Sequence, residues 1–197
     1  MVKYTFIQEE IEIPSDISAE MNDNKEITLK GSNGEVTKDF SHIKRIDFSL
    51  EDDGNGKKIV LSAPFPKTRE ISKAKTAKNL ILNLIKGVQK TYTYKMKIVY
   101  SHFPITVVPP KKGDNKILIK NFIGERAPRV TYSVGDVSIK SDKEEVIVSG
   151  CDKEYVGQTC ANIQLKCRIR DKDKRVFQDG IYVYSKSLGD QVIWKIR

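Results

Sequence analysis

The chain has 197 residues, a length that fits one large domain or two small domains of about 100 residues each. Its 39% content of hydrophobic residues argues against wholesale disorder, and its net charge of +9 favours a polyanionic partner such as RNA, DNA or an anionic membrane surface. No apolar run approaches the roughly 20 residues of a membrane span and no secretory signal is visible, so we expect a cytosolic protein without a membrane partner.

The positive charge is concentrated in the second half of the chain. Residues 1–90 contain 15 Lys and Arg against 14 Asp and Glu, whereas residues 91–197 contain 20 against 12. The two halves therefore carry charges of +1 and +8. An excess confined to one half indicates a charged face more than a general aid to solubility.

The first half predicts several strands and then one helix. Alternating apolar residues predict strands at residues 11–14, 27–30, 36–40, 46–50 and 59–61. The polar segment 15–24 is predicted to be a loop, and residues 31–34 and 51–58 are predicted to be turns. Apolar residues then recur at steps of three or four, which predicts the buried stripe of a helix: Ile71, Ala74, Ala77, Ile81, Leu84 and Val88.

The second half repeats this order. Strands are predicted at residues 92–100, 117–120, 137–139 and 146–148. A second helix follows, with Asp152 as its N-cap and with one apolar face formed by Val156, Cys160, Ile163 and Cys167. Matching residues recur in both halves in the same order, at offsets that fall from 90 to 83. This indicates an internal duplication whose second copy has shorter loops.

The predicted fold class is therefore α+β, with two tandem copies of a mostly antiparallel sheet that packs on one helix. We expect the first repeat at residues 1–88 and the second at residues 89–187, followed by a C-terminal tail at residues 188–197. The second repeat is the basic one and is expected to face the polyanion.

The sequence contains no persuasive catalytic or metal-binding pattern, so we expect no enzyme, cofactor, metal or small-molecule substrate. The spacing of Cys151, Cys160 and Cys167 matches no zinc site, and these residues are expected to be reduced and apolar in role. Residues 54–58 lack the spacing of a phosphate-binding loop and favour a hairpin turn. His102 lies among aromatic and apolar residues, where a structural or RNA-contacting role is expected.

The most basic stretch is residues 166–175, which contains six Lys or Arg among ten residues. Such side chains neutralise phosphates, and a helix C-terminus also favours cations. The alternative is a solvated charged loop, which Asp171 and Asp173 would also fit. Residues 124–129 form a second candidate surface as a loop that presents two arginines, and Lys95 and Lys97 could form a basic strand face.

Several motifs together resemble one known family. They are residues 29–34 (LKGSNG), 39–43 (DFSHI), 94–105 (YKMKIVYSHFPI), 119–125 (IKNFIGE) and 175–183 (RVFQDGIYV). The chain is similar over residues 7–186 to the universal large-subunit ribosomal protein six family, called protein nine in eukaryotes, in its eukaryotic and archaeal form. It departs from that family in a longer acidic segment at residues 15–24, a less continuous basic run at residues 126–129 and a more apolar end.

The resemblance implies a structural constituent of the large ribosomal subunit with a role in cytoplasmic translation. It implies binding to ribosomal RNA mainly through the second domain, near the sarcin–ricin loop and the docking region of translational GTPases, beside neighbouring ribosomal proteins. It assigns RNA contacts to basic residues inside the matched motifs: Lys95, Lys97, Arg126, Arg129, Lys172, Arg175 and Lys186. The basic stretch adds Lys166, Arg168, Arg170 and Lys174.

Two other classes of function remain open from the sequence. The basic half of the chain could bind an acidic protein as a free-standing interaction module, in which case the chain would be absent from large subunits in a sucrose gradient. An enzyme is the third hypothesis, and it would require a turnover that is lost with His102→Ala.

Overall fold

A computed structural model describes residues 5–52, 57–111, 113–173 and 175–196 of the chain. The chain divides into two compact units, Met1–Lys90 and Thr91–Arg197. The α+β class is confirmed, because each unit combines antiparallel sheets with one long helix. Residues 53–56 of the predicted turn, together with Lys174 of the basic stretch, lie outside the described residues.

The described part of the first unit has six strands followed by one helix. They are β1 (Phe6–Glu12), β2 (Ser18–Met21), β3 (Glu26–Gly31), β4 (Gly34–Asp39), β5 (Asp47–Asp52), β6 (Lys57–Pro64) and α1 (Thr68–Gln89). The strands form two antiparallel sheets, β1-β6-β5 and β2-β3-β4. The helix α1 packs on strands of both sheets. Its predicted apolar stripe is buried from Ala74 to Val88, while Ile71 at its start is half-buried.

The described part of the second unit has the same elements and two additional strands. Its elements are β7 (Tyr92–Val99), β8 (Thr106–Val108), β9 (Lys116–Lys120), a 3-10 turn (Phe122–Gly124), β10 (Arg129–Tyr132), β11 (Ser138–Ser141), β12 (Glu145–Gly150), α2 (Lys153–Lys166), β13 (Gly180–Leu188) and β14 (Gln191–Lys195). They form a five-stranded sheet of order β11-β12-β7-β13-β14 and a three-stranded sheet of order β10-β9-β8.

The strand order supports the predicted duplication. The order β5-β6-β1 of the first unit recurs as β11-β12-β7 in the second, and β2-β3-β4 recurs as β8-β9-β10. In the second unit β13 and β14 extend the larger sheet on the other side of β7. The helices differ in length, since α1 has 22 residues and α2 has 14.

Three expectations about local structure are corrected. The prediction of shorter loops in the second copy is wrong between β9 and β10, where residues 121–128 replace the two-residue turn between β3 and β4. The prediction of a loop at residues 15–24 is also wrong, because Ser18–Met21 pairs with β3 and buries Ala19. At the end of the chain, Gln191–Lys195 pairs with β13, so most of residues 188–197 continue the sheet.

The core of the second unit lies between the inner face of the larger sheet, α2 and the smaller sheet. The four residues of the predicted helix face, Val156, Cys160, Ile163 and Cys167, are all buried there. Burial raises the pKa of the Cys160 and Cys167 thiols to about 12, so both remain protonated at neutral pH. These two cysteines act as apolar core residues, as the sequence predicts.

The N-cap of α2 gives a first testable prediction. The Asp152 side chain accepts a 2.8 Å hydrogen bond from the backbone N–H of Glu154, which confirms the predicted cap. We expect Asp152→Ala to lower the free energy of unfolding by about 1 kcal/mol, because it leaves a helix N–H without this acceptor. Denaturant unfolding of the whole chain measures this change. Asp152→Asn keeps a capping oxygen and should be much milder, so equal losses in both variants would contradict the capping role.

Candidate RNA-binding surface

The chain leaves α2 in a segment whose side chains alternate between core and solvent. Cys167 and Ile169 are buried, whereas Lys166, Arg168 and Arg170 are exposed. The two buried residues hold the segment against the core of the second unit. The three cations must therefore point away from it, and Lys166 also lies at the C-terminal end of the helix, where the dipole favours positive charge. The start of the predicted basic stretch thus forms an exposed row of cations, Lys166, Arg168 and Arg170, called the cation row below.

Arg129, at the start of β10, connects the segment after α2 to the loop that precedes β10. Arg129 Nε donates to Glu125 Oε2 at 2.8 Å, and its Nη2 donates to Glu125 Oε1 at 2.6 Å. Its Nη1 donates to the carbonyl oxygens of Lys166, at 2.7 Å, and Arg168, at 3.0 Å. The guanidinium also lies 4.3 Å from the centroid of the Phe122 ring. Four of its five N–H donors are therefore directed at protein acceptors.

These contacts give Arg129 a role that the sequence did not predict. Its charge is balanced by Glu125, and its Nη1 donates to the Lys166 carbonyl, which the end of α2 leaves unpaired, and to the Arg168 carbonyl in the following segment. The hydrogen bonds from Arg129 lower the pKa of the Glu125 carboxyl below its usual 4.5. Arg129 thus positions the loop, and a direct RNA contact by this residue stays a prediction. Arg126 in the same loop is exposed.

The loop and the cation row meet in a groove of about 280 Å³. It is lined by Arg129, Leu165, Lys166, Arg168 and Arg170. The loop itself is tightly built, because Gly124 has a φ of +73° and a Cβ at this position would lie 3.2 Å from the Phe103 ring. The structure therefore brings two of the predicted surfaces together beside the end of α2.

A second loop continues the basic surface. Lys172 Nζ lies 4.6 Å from the centroid of the Phe177 ring, and the His102 ring lies against the same phenylalanine at 5.7 Å. Asp179 accepts a 2.5 Å hydrogen bond from the backbone N–H of Ser101, which fixes the two segments together. Arg175 is exposed. His102 is thus an exposed residue that packs against Phe177, and an RNA contact by it stays a prediction.

The remaining predicted residues lie on the larger sheet of the second unit, on opposite faces. Lys95 and Lys97 alternate with the core residues of β7 and so face away from α2. Lys186 is opposite Tyr94 in the strand register and so lies on the side of α2. Its Nζ is 5.2 Å from the Tyr94 ring and 5.3 Å from the Trp194 ring, and such contacts stabilise a cation. The structure does not bring these three lysines together.

Other site types find no support within the described ranges. No group of three His, Cys, Asp or Glu side chains is arranged there to hold a metal ion. None of the helices in that part of the chain is long and apolar enough to cross a membrane.

Comparison with known proteins identifies the family. A family model described as ribosomal protein L6 matches residues 111–180. The chain is 44% identical over 186 residues to the large ribosomal subunit protein uL6 of Staphylothermus marinus, which covers 93% of this chain and 97% of that protein. It is 41% identical to uL6 of Methanobrevibacter smithii, covering 94% and 99%, and 38% identical to uL6 of Aeropyrum pernix, covering 95% and 99%. The chain belongs to the uL6 family.

The family membership confirms the resemblance and places the chain with the archaeal relatives. Proteins of the uL6 family are structural, non-enzymatic components of the large ribosomal subunit. The chain is therefore a structural ribosomal constituent and not an enzyme.

The arginine that anchors the loop of this uL6 protein gives a second prediction. We expect Arg129→Lys to lower the free energy of unfolding by about 2 kcal/mol, because a lysine cannot make the bidentate contact and reach both carbonyls. Chemical denaturation measures the change. The control is Arg126→Lys, an exposed substitution in the same loop that should stay within about 0.5 kcal/mol of the wild type. Similar values for both would contradict the anchoring role.

The same ion pair predicts a pH dependence. Since the folded state lowers the pKa of Glu125, the pair stabilises the fold above the ordinary value of 4.5 and loses this effect as the pH falls through the lowered pKa. The difference in unfolding free energy between wild type and Glu125→Gln should therefore shrink below pH 4.5. Denaturant titrations at a series of pH values measure it. In an Arg129→Met background this pH dependence should disappear, and its persistence there would assign it to another group.

Proposed function

We propose that the chain binds large-subunit ribosomal RNA, mainly through the exposed cations of its second unit. The observation that carries the proposal is the row formed by Lys166, Arg168 and Arg170, which the buried residues between them direct outward. Arg126, Lys172 and Arg175 are also exposed in the neighbouring loops. Lysine and arginine in such a row bind phosphates by releasing counterions from the nucleic acid, a contribution that is independent of sequence.

The acidic residues of this region offset only part of the positive charge, since residues 166–175 contain six Lys or Arg against Asp171 and Asp173. Glu125 is paired with Arg129, and Asp173 accepts a hydrogen bond from the backbone N–H of Arg175. The groove beside α2 is lined by basic residues and one leucine, with no carboxylate among them. A free phosphate in that groove would meet positive charge on several sides. This arrangement favours a polyanion over the solvated charged loop that the sequence left as an alternative.

The finer part of the proposal concerns the place in the ribosome. We infer from the family resemblance that the RNA contacted lies near the sarcin–ricin loop, close to where translational GTPases dock. Neighbouring ribosomal proteins would complete the environment, and the chain would act in cytosolic subunits. rRNA binding is typical of the family, which supports the coarser part of the proposal, the binding to ribosomal RNA.

Charge reversal tests the proposal. We expect the triple variant Lys166→Glu, Arg168→Glu and Arg170→Glu to weaken binding to large-subunit RNA. It should also lower the magnitude of the log–log salt slope by about two to three, since each phosphate contact contributes about 0.7–0.9. Filter binding at several salt concentrations measures both quantities, and sedimentation of the variant chain with large subunits gives an independent readout.

The control is a triple variant of equal charge change on the first unit. Arg69, Lys73 and Lys75 are exposed on α1, and their replacement by glutamate also exchanges three positive charges for three negative ones. This control should leave the salt slope nearly unchanged. Equal effects of both triples would show that only the total charge matters, and would contradict binding through the second unit.

A further inference from the structure

A pocket of about 700 Å³ lies beside the cation row of the second unit. Its walls come from the last turn of α2, from the segment that follows it, and from the adjoining ends of β7 and β13. Its lining includes Val99, Leu165, Arg168, Ile169, Phe177 and Tyr182. The lining is mostly apolar, and Leu165 is 67% exposed. A pocket of this size and composition is typical of sites for small or flat organic groups.

The aromatic wall of the pocket is held in place by a glycine. A Cβ placed on Gly180 would lie 2.6 Å from both Cζ and Oη of Tyr182, so the tyrosine ring packs directly on the glycine backbone. Tyr182 is also among the residues that line the pocket, and it is 42% exposed. Any side chain at position 180 would displace it. The sequence Gly180-Ile181-Tyr182 therefore builds a fixed aromatic platform at the start of β13.

The polar groups of the pocket suit a nucleotide. Gln164 and Gln178 border it, and a glutamine amide can both donate to and accept from the edge of a base. Arg168 lines both this pocket and the basic groove, so it connects the apolar cavity to the positions proposed for phosphates. An apolar side chain of a protein partner would fill the cavity but would leave the adjacent cations without counter-charge.

We propose that this pocket receives one unpaired nucleobase of RNA, stacked on Tyr182, while the flanking phosphates lie on Lys166, Arg168 and Arg170. The inference rests on the proposed RNA binding and adds a mode of recognition to it. Proteins recognise unpaired RNA bases by stacking them on aromatic rings and by hydrogen bonds to their edges. The site would therefore distinguish an unpaired nucleotide from a continuous duplex.

Two probes of equal charge test this inference on the full chain. One is hexauridylate, and the other is a hexamer of ribose phosphates without bases. We expect the wild type to bind hexauridylate about fivefold more tightly or better, because stacking one base contributes at least that much. The salt slopes of the two probes should be similar, since their phosphates are the same.

Two variants remove the platform in different ways. Tyr182→Leu keeps apolar bulk without the aromatic face, and Gly180→Ala keeps the tyrosine but displaces its ring. Both should bring the affinity ratio of the two probes close to one, without changing the salt slope. The control is Phe65→Leu, a substitution of an exposed aromatic residue in the first unit, which should preserve the ratio. Thermal unfolding of each variant shows whether it is folded.

The outcomes separate this inference from the proposed function. Equal affinity of the wild type for both probes, with a steep salt slope, overturns the base pocket but leaves RNA binding intact. A ratio that persists in both folded variants also overturns it. The absence of binding to either probe at about 50 mM salt contradicts both proposals. If Tyr182→Leu instead reduces incorporation into large subunits while the ratio is unchanged, the pocket belongs to a protein neighbour.

Discussion

The arrangement of the basic surface depends on one guanidinium group. Arg129 holds the loop after β9 through Glu125, and it holds the end of α2 and the segment that follows through two carbonyl oxygens. Without it, the carbonyls of Lys166 and Arg168 would lose the donor that connects them to the loop. Arg129, whose charge is paired with Glu125, thus sets the distance between the loop and the exposed cations of the row. Arg129 is thus a structural arginine, whereas Arg168 and Arg170 remain exposed to solvent.

The two units share one fold and differ in the parts that form the candidate site. Both retain the same strand order, and both bury one face of a helix. The second copy differs in the longer connection between β9 and β10, in the shorter α2 and in the added strands β13 and β14. The loop with Arg126, the cation row and the pocket are built from these differences. The shared framework supplies stability, and the departures from it supply the candidate site.

The sequence predicted most of the framework, because buried faces of helices and strands require apolar residues at regular spacings. The stripe of α1, the capped start of α2 and most strands follow directly from apolar spacing, and the family motifs added the expected class of partner. The strand β14 could not be found this way, because its five residues are all exposed and so show no alternation between core and solvent. The strand β2 was hidden for a related reason, since Ala19 is its one buried residue.

The candidate site was predicted in composition but only partly in geometry. The basic stretch was recognised from its charge, and its exposed residues are where that reasoning expected them. The roles of Arg129 and Lys186 depend on partners that are distant in sequence, Lys166 and Arg168 for the first and Tyr94 for the second. The pocket lined by Tyr182 was missed. Gly180, two residues before it, was a visible signal, because a glycine inside a strand often marks a close approach of another group to the backbone.

The difference in helix length has a consequence for charge density. A helix advances about 1.5 Å per residue, so the eight residues that α1 has in excess of α2 would cover about 12 Å of sheet. The helix of the second unit ends at Lys166, and Cys167 makes a turn that is hydrogen-bonded to the last helical residues. Arg168 to Arg170 then lie in no helix or strand. The early end of the helix thus leaves room for a short irregular segment that buries Ile169 in the core and exposes a cation on either side of it.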